Sequence, residues 1–284
     1  MKRGLLAFLA VLALGLGMTA SPATAATQVI VTPSNPQGWC WTQPCADTRP
    51  GGAVNFVADP TAPGDPHRGA LQLTTDLTIT AKAQAVHSTN TPLASVTELS
   101  YWTKQVSGTP LVADPAYQLA ICANGLTATG CAPNRDAFPV SSFTTLVFEP
   151  YQNPTQGPIV ANAWQQWDVA AGLFWSTRTI RCSNGVLVGT PGGPATYTLA
   201  QVKVLCPEAL VVQFIANVGT NNPGYNVYTD LFNFNGTIYN FEPDATCREK
   251  DNNKDGNKEK DNNTDGNKLP KCDNDDSGDN EDSD

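Results

Sequence analysis

Residues 228–243 read YTDLFNFNGTIYNFEP, and this stretch decides the fold class. Asn235-Gly236 supplies the positive φ that a type I′ turn needs at both central positions, and that turn's twist matches the twist of antiparallel strands. Tyr, Thr, Phe and Ile crowd both flanks, residue types that fit a pleated, half-buried surface. The stretch is therefore predicted to be a β-hairpin, with strands over residues 226–234 and 237–241.

The same composition recurs toward the N-terminus. Short runs rich in Val, Thr, Ile, Phe and Tyr, bounded by Gly, Pro and Asn, predict strands over 28–32, 53–58, 69–74, 78–87, 96–106, 116–122, 143–150, 164–170 and 210–218. Ala70-Leu71-Gln72-Leu73 and Val96-Thr97-Glu98-Leu99-Ser100-Tyr101 alternate apolar with polar, the period of a strand with one face buried. A single short helix is expected over 199–208, where Leu199, Val202 and Leu205 recur every three residues and Thr198 stands at the cap. Many short strands between Pro- and Gly-containing loops point to an all-β, two-sheet sandwich spanning residues 26–243.

Beyond Pro243 the composition shifts abruptly. Residues 244–284 carry 14 acidic and 7 basic side chains, and Leu269 is the lone large apolar residue after Cys247. Such a segment buries too little surface to offset its chain entropy, so a disordered acidic tail is expected. Inside it, D-N-N-x-D-G-N-K occurs twice, ten residues apart. Asp251, Asn253 and Asp255, and again Asp261, Asn263 and Asp265, place oxygens at alternate positions before a Gly, the first half of a calcium loop. Neither copy has the closing acid in register, and four lysines dilute the charge. A weak calcium site and a plain solvated tail both remain open.

At the other end, Lys2 and Arg3 precede an apolar run over residues 5–17 and an Ala23-Thr24-Ala25 cleavage pattern. This reads as a secretory signal peptide covering residues 1–25. No second run approaches the length of a membrane span. In an exported chain, eight cysteines imply disulfides. Pairing in sequence order closes the shortest loops: Cys40 with Cys45, Cys122 with Cys131, Cys182 with Cys206, and Cys247 with Cys272. No C-x-x-C and no nearby His supports zinc instead. The full chain has a formal charge of −9, and residues 26–243 hold 12 acidic and 8 basic side chains. With no basic patch in the sequence, nucleic acid and anionic membranes are not expected as partners.

Several stretches in order carry a resemblance: Leu71-Gln72-Leu73-Thr74, the segment Ser95 to Tyr101, Thr145-Leu146-Val147-Phe148-Glu149-Pro150-Tyr151, Trp164-Gln165-Gln166-Trp167-Asp168, Trp175-Ser176-Thr177-Arg178, and the closing hairpin. Together they resemble secreted bacterial jelly-roll domains similar to carbohydrate-binding modules. That resemblance implies a jelly-roll topology and an extracellular glycan as partner. It also implies a structural calcium held in part by an aspartate of the penultimate strand, the position of Asp230. The alternative for Asp230 is a surface aspartate facing water. The aspartate that such domains carry before Phe-Glu is Asn240 here.

The chemistry the residues themselves offer is binding rather than catalysis. Flat apolar sugar faces stack on aromatic rings, so Tyr151, Trp164, Trp167, Trp175, Tyr225 and Tyr228 are the candidate ligand contacts. Trp164 and Trp167 are three apart on one expected strand and should face opposite sides. Only His67 and His87 could serve a triad, and no G-x-S-x-G, H-E-x-x-H or P-loop occurs. A non-catalytic glycan-binding module is the expectation. A structural surface or matrix protein, or a glycoside hydrolase or lyase on the same scaffold, are the alternatives.

Overall fold

The computed structural model describes residues 26–64, 68–108, 114–125, 131 and 142–244. The expected signal segment, His67, the repeats of residues 251–268, and Cys247 and Cys272 lie outside the described residues. The strands are β1 (Thr27–Val31), β2 (Trp39–Cys40), β3 (Gly52–Ala58), β4 (Gly69–Thr75), β5 (Ala83–Pro92), β6 (Leu99–Ser107), β7 (Ala116–Cys122), β8 (Phe143–Phe148), β9 (Gln165–Asp168), β10 (Leu173–Ser176), β11 (Ile180–Arg181), β12 (Leu187–Val188), β13 (Tyr197–Thr198), β14 (Leu210–Val218), β15 (Asn226–Phe234) and β16 (Thr237–Phe241), with one helix, α1 (Leu199–Leu205).

Two sheets face each other. The first runs β9-β6-β15-β4-β3, with β16 and then β1 on the C-terminal half of β15; the second runs β13-β10-β8-β7-β14-β5-β2. The chain passes repeatedly from one sheet to the other, which gives the jelly-roll sandwich. The opening hairpin is present as read: Phe234 pairs with Thr237 across Asn235 (φ 54°) and Gly236 (φ 88°), the positive pair that a type I′ turn requires.

Between the sheets lies an aromatic core. Tyr117 stacks on Phe232 at 4.1 Å and Phe214 on Phe234 at 4.3 Å. Trp39 meets His87, Phe214, Phe232, Tyr239 and Phe241 edge-on. The tyrosine tips are satisfied, the Tyr101 hydroxyl donating to the Pro115 carbonyl at 2.7 Å and Tyr117 to that of Asn233 at 2.9 Å, whereas the buried Trp39 indole N–H has no partner among the described residues. Burying each such ring stabilises the fold by roughly 1.5–3 kcal/mol.

Where the structure departs from the expected elements, a local hydrogen bond wins over strand propensity. Residues 78–82 are not strand, because the Asp76 carboxylate captures the Thr78 amide and hydroxyl at 2.8 and 2.6 Å, turning the chain and leaving Leu77 and Ile79 exposed. Strand β6 begins at Leu99 rather than Val96, since Leu93–Ser95 forms a 3₁₀ turn and the Asn235 side chain accepts from Thr97. Strand β8 stops at Phe148, where Pro150–Gln152 turns into a 3₁₀ helix. Helix α1 starts as expected, with a capping box between Thr198 and Gln201, and stops at Cys206.

Three disulfides join the expected neighbours, Cys40–Cys45, Cys122–Cys131 and Cys182–Cys206. The first two help cover the outer face of the second sheet. There Ala46, Val86, Ala120, Cys122, Cys131, Val212 and Ile215 form a satellite apolar cluster. The rest of that outer face lies at the bottom of cavities walled by loops.

Candidate functional site

Strand alternation fixes what that face displays. One straight row across the second sheet is Val86, Ile215, Gln118, Val147 and Trp175, each opposite the next in register. The row on one side is Gln84, Asn217 and Ala116; the row on the other includes Gln213, Ala120 and Thr145. Their in-between neighbours, such as Tyr117, Leu119, Phe214 and Ala216, point into the core. The floor is therefore a field of amides ending at an indole: Gln213 is half-buried, while Gln84, Gln118 and Asn217 are only 5–9% exposed, and Gln84 already accepts the Asp47 amide at 2.8 Å and donates to Asn217 at 3.5 Å.

Walls turn this floor into a groove. Three adjoining cavities of about 600, 360 and 350 Å³ share lining residues along it. At one end, Asp47 takes Arg49 at 2.7 Å and Lys82 at 3.1 Å on the same oxygen. Burial opposes ionisation there, but the hydrogen bonds and charges of Arg49 and Lys82 carry the Asp47 carboxyl down to about 2. At the other end, the Glu149 carboxylate accepts from Trp175 Nε1 and from Gln152 Nε2, both at 2.7 Å, while the Gln152 carbonyl oxygen accepts the Ala195 amide at 2.7 Å. This chain fixes the Trp175 ring. Tyr151, 48% exposed, stands beside it, and the loop Gly219–Asn222 closes that side.

Asp114 lies in the middle cavity with Glu149 and Trp175. Thr103 donates to its Oδ2 at 2.7 Å, while its buried Oδ1 has no partner. Burial pushes this carboxyl up to about 6 against the Thr103 hydrogen bond.

The six expected aromatic contacts do not share one surface. Trp175 and Tyr151 belong to the groove. Trp164 and Tyr228 sit on the outer face of the first sheet, ring centroids 6.4 Å apart, with Lys104 Nζ near both rings and paired to Asp59 at 2.7 Å. Trp167 and Tyr225 are core residues and offer no face to a ligand: Trp167 is fully buried and donates to Thr103 at 2.7 Å, and Tyr225 is 2% exposed. Trp164 and Trp167 do face opposite sides. His87 is also a packing residue, stacked on Phe214 at 4.6 Å, and burial lowers its pKa.

An open hollow of about 760 Å³ on the β6–β9 edge is lined by Glu98, Asp168 and Gln156. It offers less. Gln156 is spent on the Asp168 backbone in both directions, and its one aromatic, Trp167, is buried.

Asp230 corrects the surface alternative: it is 0% exposed. A register shift after Asp230, with Leu231 at φ 44°, bulges β15 there. The Phe241 amide donates to Oδ1 at 2.9 Å, and Oδ2 is unpartnered. Beside it, Oδ1 of buried Asn240 and Oε1 of Glu242 also lack partners. Burial drives both carboxyls up, Glu242 to about 7. No ion pair of the described residues reaches either acid. A side chain on Gly69 would collide with the Glu242 carboxylate, so the close approach of β4 depends on that glycine. No three His, Cys, Asp or Glu side chains gather at metal-binding range among the described residues; this cluster is two acids and an amide. Its orphaned oxygens, buried without a counter-charge, fit a hard cation.

The chain is structurally similar, at low identity, to carbohydrate-binding modules of the β-sandwich type. The family 11 carbohydrate-binding module from Clostridium thermocellum, in complex with a beta-1,3-1,4-mixed-linked tetrasaccharide, is 10% identical, with 72% of this chain and 91% of that chain covered and a TM-score of 0.36. The xyloglucanase domain of NopAA, a type three effector from Sinorhizobium fredii, in complex with cellobiose, is 13% identical over 71% of this chain and 93% of that chain, with a TM-score of 0.32. No family model and no curated protein matches the sequence. Among the described residues no helix is long and apolar enough to cross a membrane.

Proposed function

We propose that this chain is a secreted, non-catalytic module that binds an extracellular carbohydrate in the groove on the outer face of the second sheet. Trp175 carries the reading. Its indole is half-buried, its edge is fixed by Glu149, and it stands at the end of the amide floor. A sugar ring offers an apolar C–H face for such an indole, and its hydroxyls need groups that both donate and accept, which Gln and Asn supply. Three disulfides suit an oxidising compartment outside the cell. A glycan array and affinity electrophoresis of the full chain test this; retention by no polysaccharide would sink it.

The hydrolase alternative draws on one observation, that Asp114 and Glu149 line the same part of the groove. Two-carboxylate hydrolysis uses one protonated and one ionised acid. Against it, Asp114 is only 6% exposed and Glu149 is already engaged by Trp175 and Gln152. Release of reducing ends from a retained polysaccharide would replace the binding reading with the enzymatic one.

We also propose that Asp230, Asn240 and Glu242 hold a structural calcium. The ion would supply the positive charge those buried oxygens lack and tie β15 to β16. Thermal unfolding with calcium against chelator reads it out; an unchanged Tm would discard it. For the repeats over residues 251–266 the proposal is weak calcium binding, with Kd about 10⁻⁴ to 10⁻³ M. Equal calorimetric heats from the full chain and from one ending at residue 244 would remove it.

A further inference from the structure

We infer that the groove takes a glycan bearing an anionic group, and that Arg178 is the side chain that binds that group. The inference rests on the groove being the glycan site. Its basis is where the few basic residues stand. Residues 26–243 hold only 8 of them and are net acidic. Yet Arg49, Lys82 and Arg178 all line one end cavity, where the single acid among the described residues is Asp47.

Arg49 and Lys82 are both committed to Asp47, through the same carboxylate oxygen. Arg178 adds a third cation to the same cavity. Its backbone is pinned to Thr144, but its guanidinium enters no ion pair or hydrogen bond among the described residues. Its aromatic neighbour is Phe143, with the guanidinium carbon 5.8 Å from the ring centroid. The planar ring holds the side chain beside the groove without using its donors.

The other acids of the groove, Asp114 and Glu149, line the two remaining cavities. Arg49 and Lys82 reach the middle cavity as well, beside Asp114 and Glu149, whereas Arg178 lines only the end cavity and stands farthest from those carboxylates and the indole. A wholly neutral glycan has no need of that arrangement. A carboxylate or sulfate on the glycan does, because a guanidinium fork binds either with paired, charge-assisted hydrogen bonds. That placement also sets direction: the anion lies at Arg178 and an apolar sugar face at Trp175.

Affinity electrophoresis of the full chain decides this, with two matched pairs of polymers. Polygalacturonate against its carboxyl-reduced form probes a carboxylate, and dextran sulfate against dextran probes a sulfate ester. At least one charged polymer should retain the protein tenfold or more better than its uncharged partner. Arg178→Gln should abolish that preference. Arg181→Gln removes the same charge from an exposed position on the β11–β12 hairpin, where the guanidinium donates to the Gly185 carbonyl at 3.3 Å, and should change retention less than twofold. Equal retention within both pairs, or an equal loss from Arg181→Gln, overturns the inference. If a glycan array then yields uncharged ligands, the groove reading stands without it; if no glycan is retained anywhere, both fall.

Discussion

Replacing Asp114 by Asn should make the protein more stable at pH 7 and remove a stability gain that the wild type shows on mild acidification. Burial raises this carboxyl to about 6 in the folded chain, and the one hydrogen bond from Thr103 does not compensate. In the unfolded chain the value returns to about 3.9. Because the folded value is the higher one, ionised Asp114 destabilises the fold at neutral pH. The penalty shrinks as pH falls through about 6 and is gone below about 4. Linkage puts it at about 3 kcal/mol at pH 7 and about 1.5 kcal/mol at pH 5. Asn keeps an acceptor for Thr103 but leaves a donor unpaired, a cost of about 1 kcal/mol. The variant should therefore gain about 2 kcal/mol at pH 7, and the gap should narrow by about 1.5 kcal/mol at pH 5. Urea unfolding of the disulfide-intact proteins, followed by Trp fluorescence at pH 5, 6 and 7, measures both. Taking the difference between the two proteins cancels titrations they share, including that of His87. A pH-independent gap, or a variant less stable at pH 7, would refute the reasoning.

Two further predictions concern what holds the sandwich together. Trp39→Ala removes a 3%-exposed indole that packs edge-on against five rings, so it should cost about 3–5 kcal/mol, read as a lower urea midpoint at unchanged slope; a loss under 1 kcal/mol would deny Trp39 its place in the core. Cys182 and Cys206 are 24 residues apart, so replacing both with Ser should cost roughly 3 kcal/mol and leave the cost nearly additive with Trp39→Ala. An unchanged Tm would contradict it.

Much of the fold was legible because its signals are local. The spans 116–122, 210–218, 226–234 and 237–241 match their observed strands, each being an apolar run with clear punctuation. The failures are also physical. Residues 78–82 have strand composition, yet the Asp76 side chain offers their backbone a turn first. Strands β2, β10 and β13 are two to four residues long and exist only through pairing with distant segments, and the β11–β12 hairpin pairs only two residues a side. The groove was half legible. Trp175 and Tyr151 stood out as aromatics. The amides of β5, β7 and β14 show in the alternation, but only the non-local order of the strands brings Gln118, Ile215, Val147 and Trp175 into one row. A residue count showed no basic patch, whereas folding collects Arg49, Lys82 and Arg178 from separate segments. At the calcium candidate, Asp230 was visible in sequence; its partners Asn240 and Glu242 follow from the hairpin that folds β16 back onto β15.

The central claim is that carbohydrate binds across the second sheet. Its most direct test compares Trp175→Ala with Trp164→Ala, each shown by thermal unfolding to be folded, in titrations with a polysaccharide that the wild type retains. The account predicts that loss of Trp175 weakens binding by about 2 kcal/mol, roughly 30-fold, while loss of Trp164 changes it less than about twofold. Binding that survives without Trp175 and fails without Trp164 would move the site to the other sheet and contradict the account.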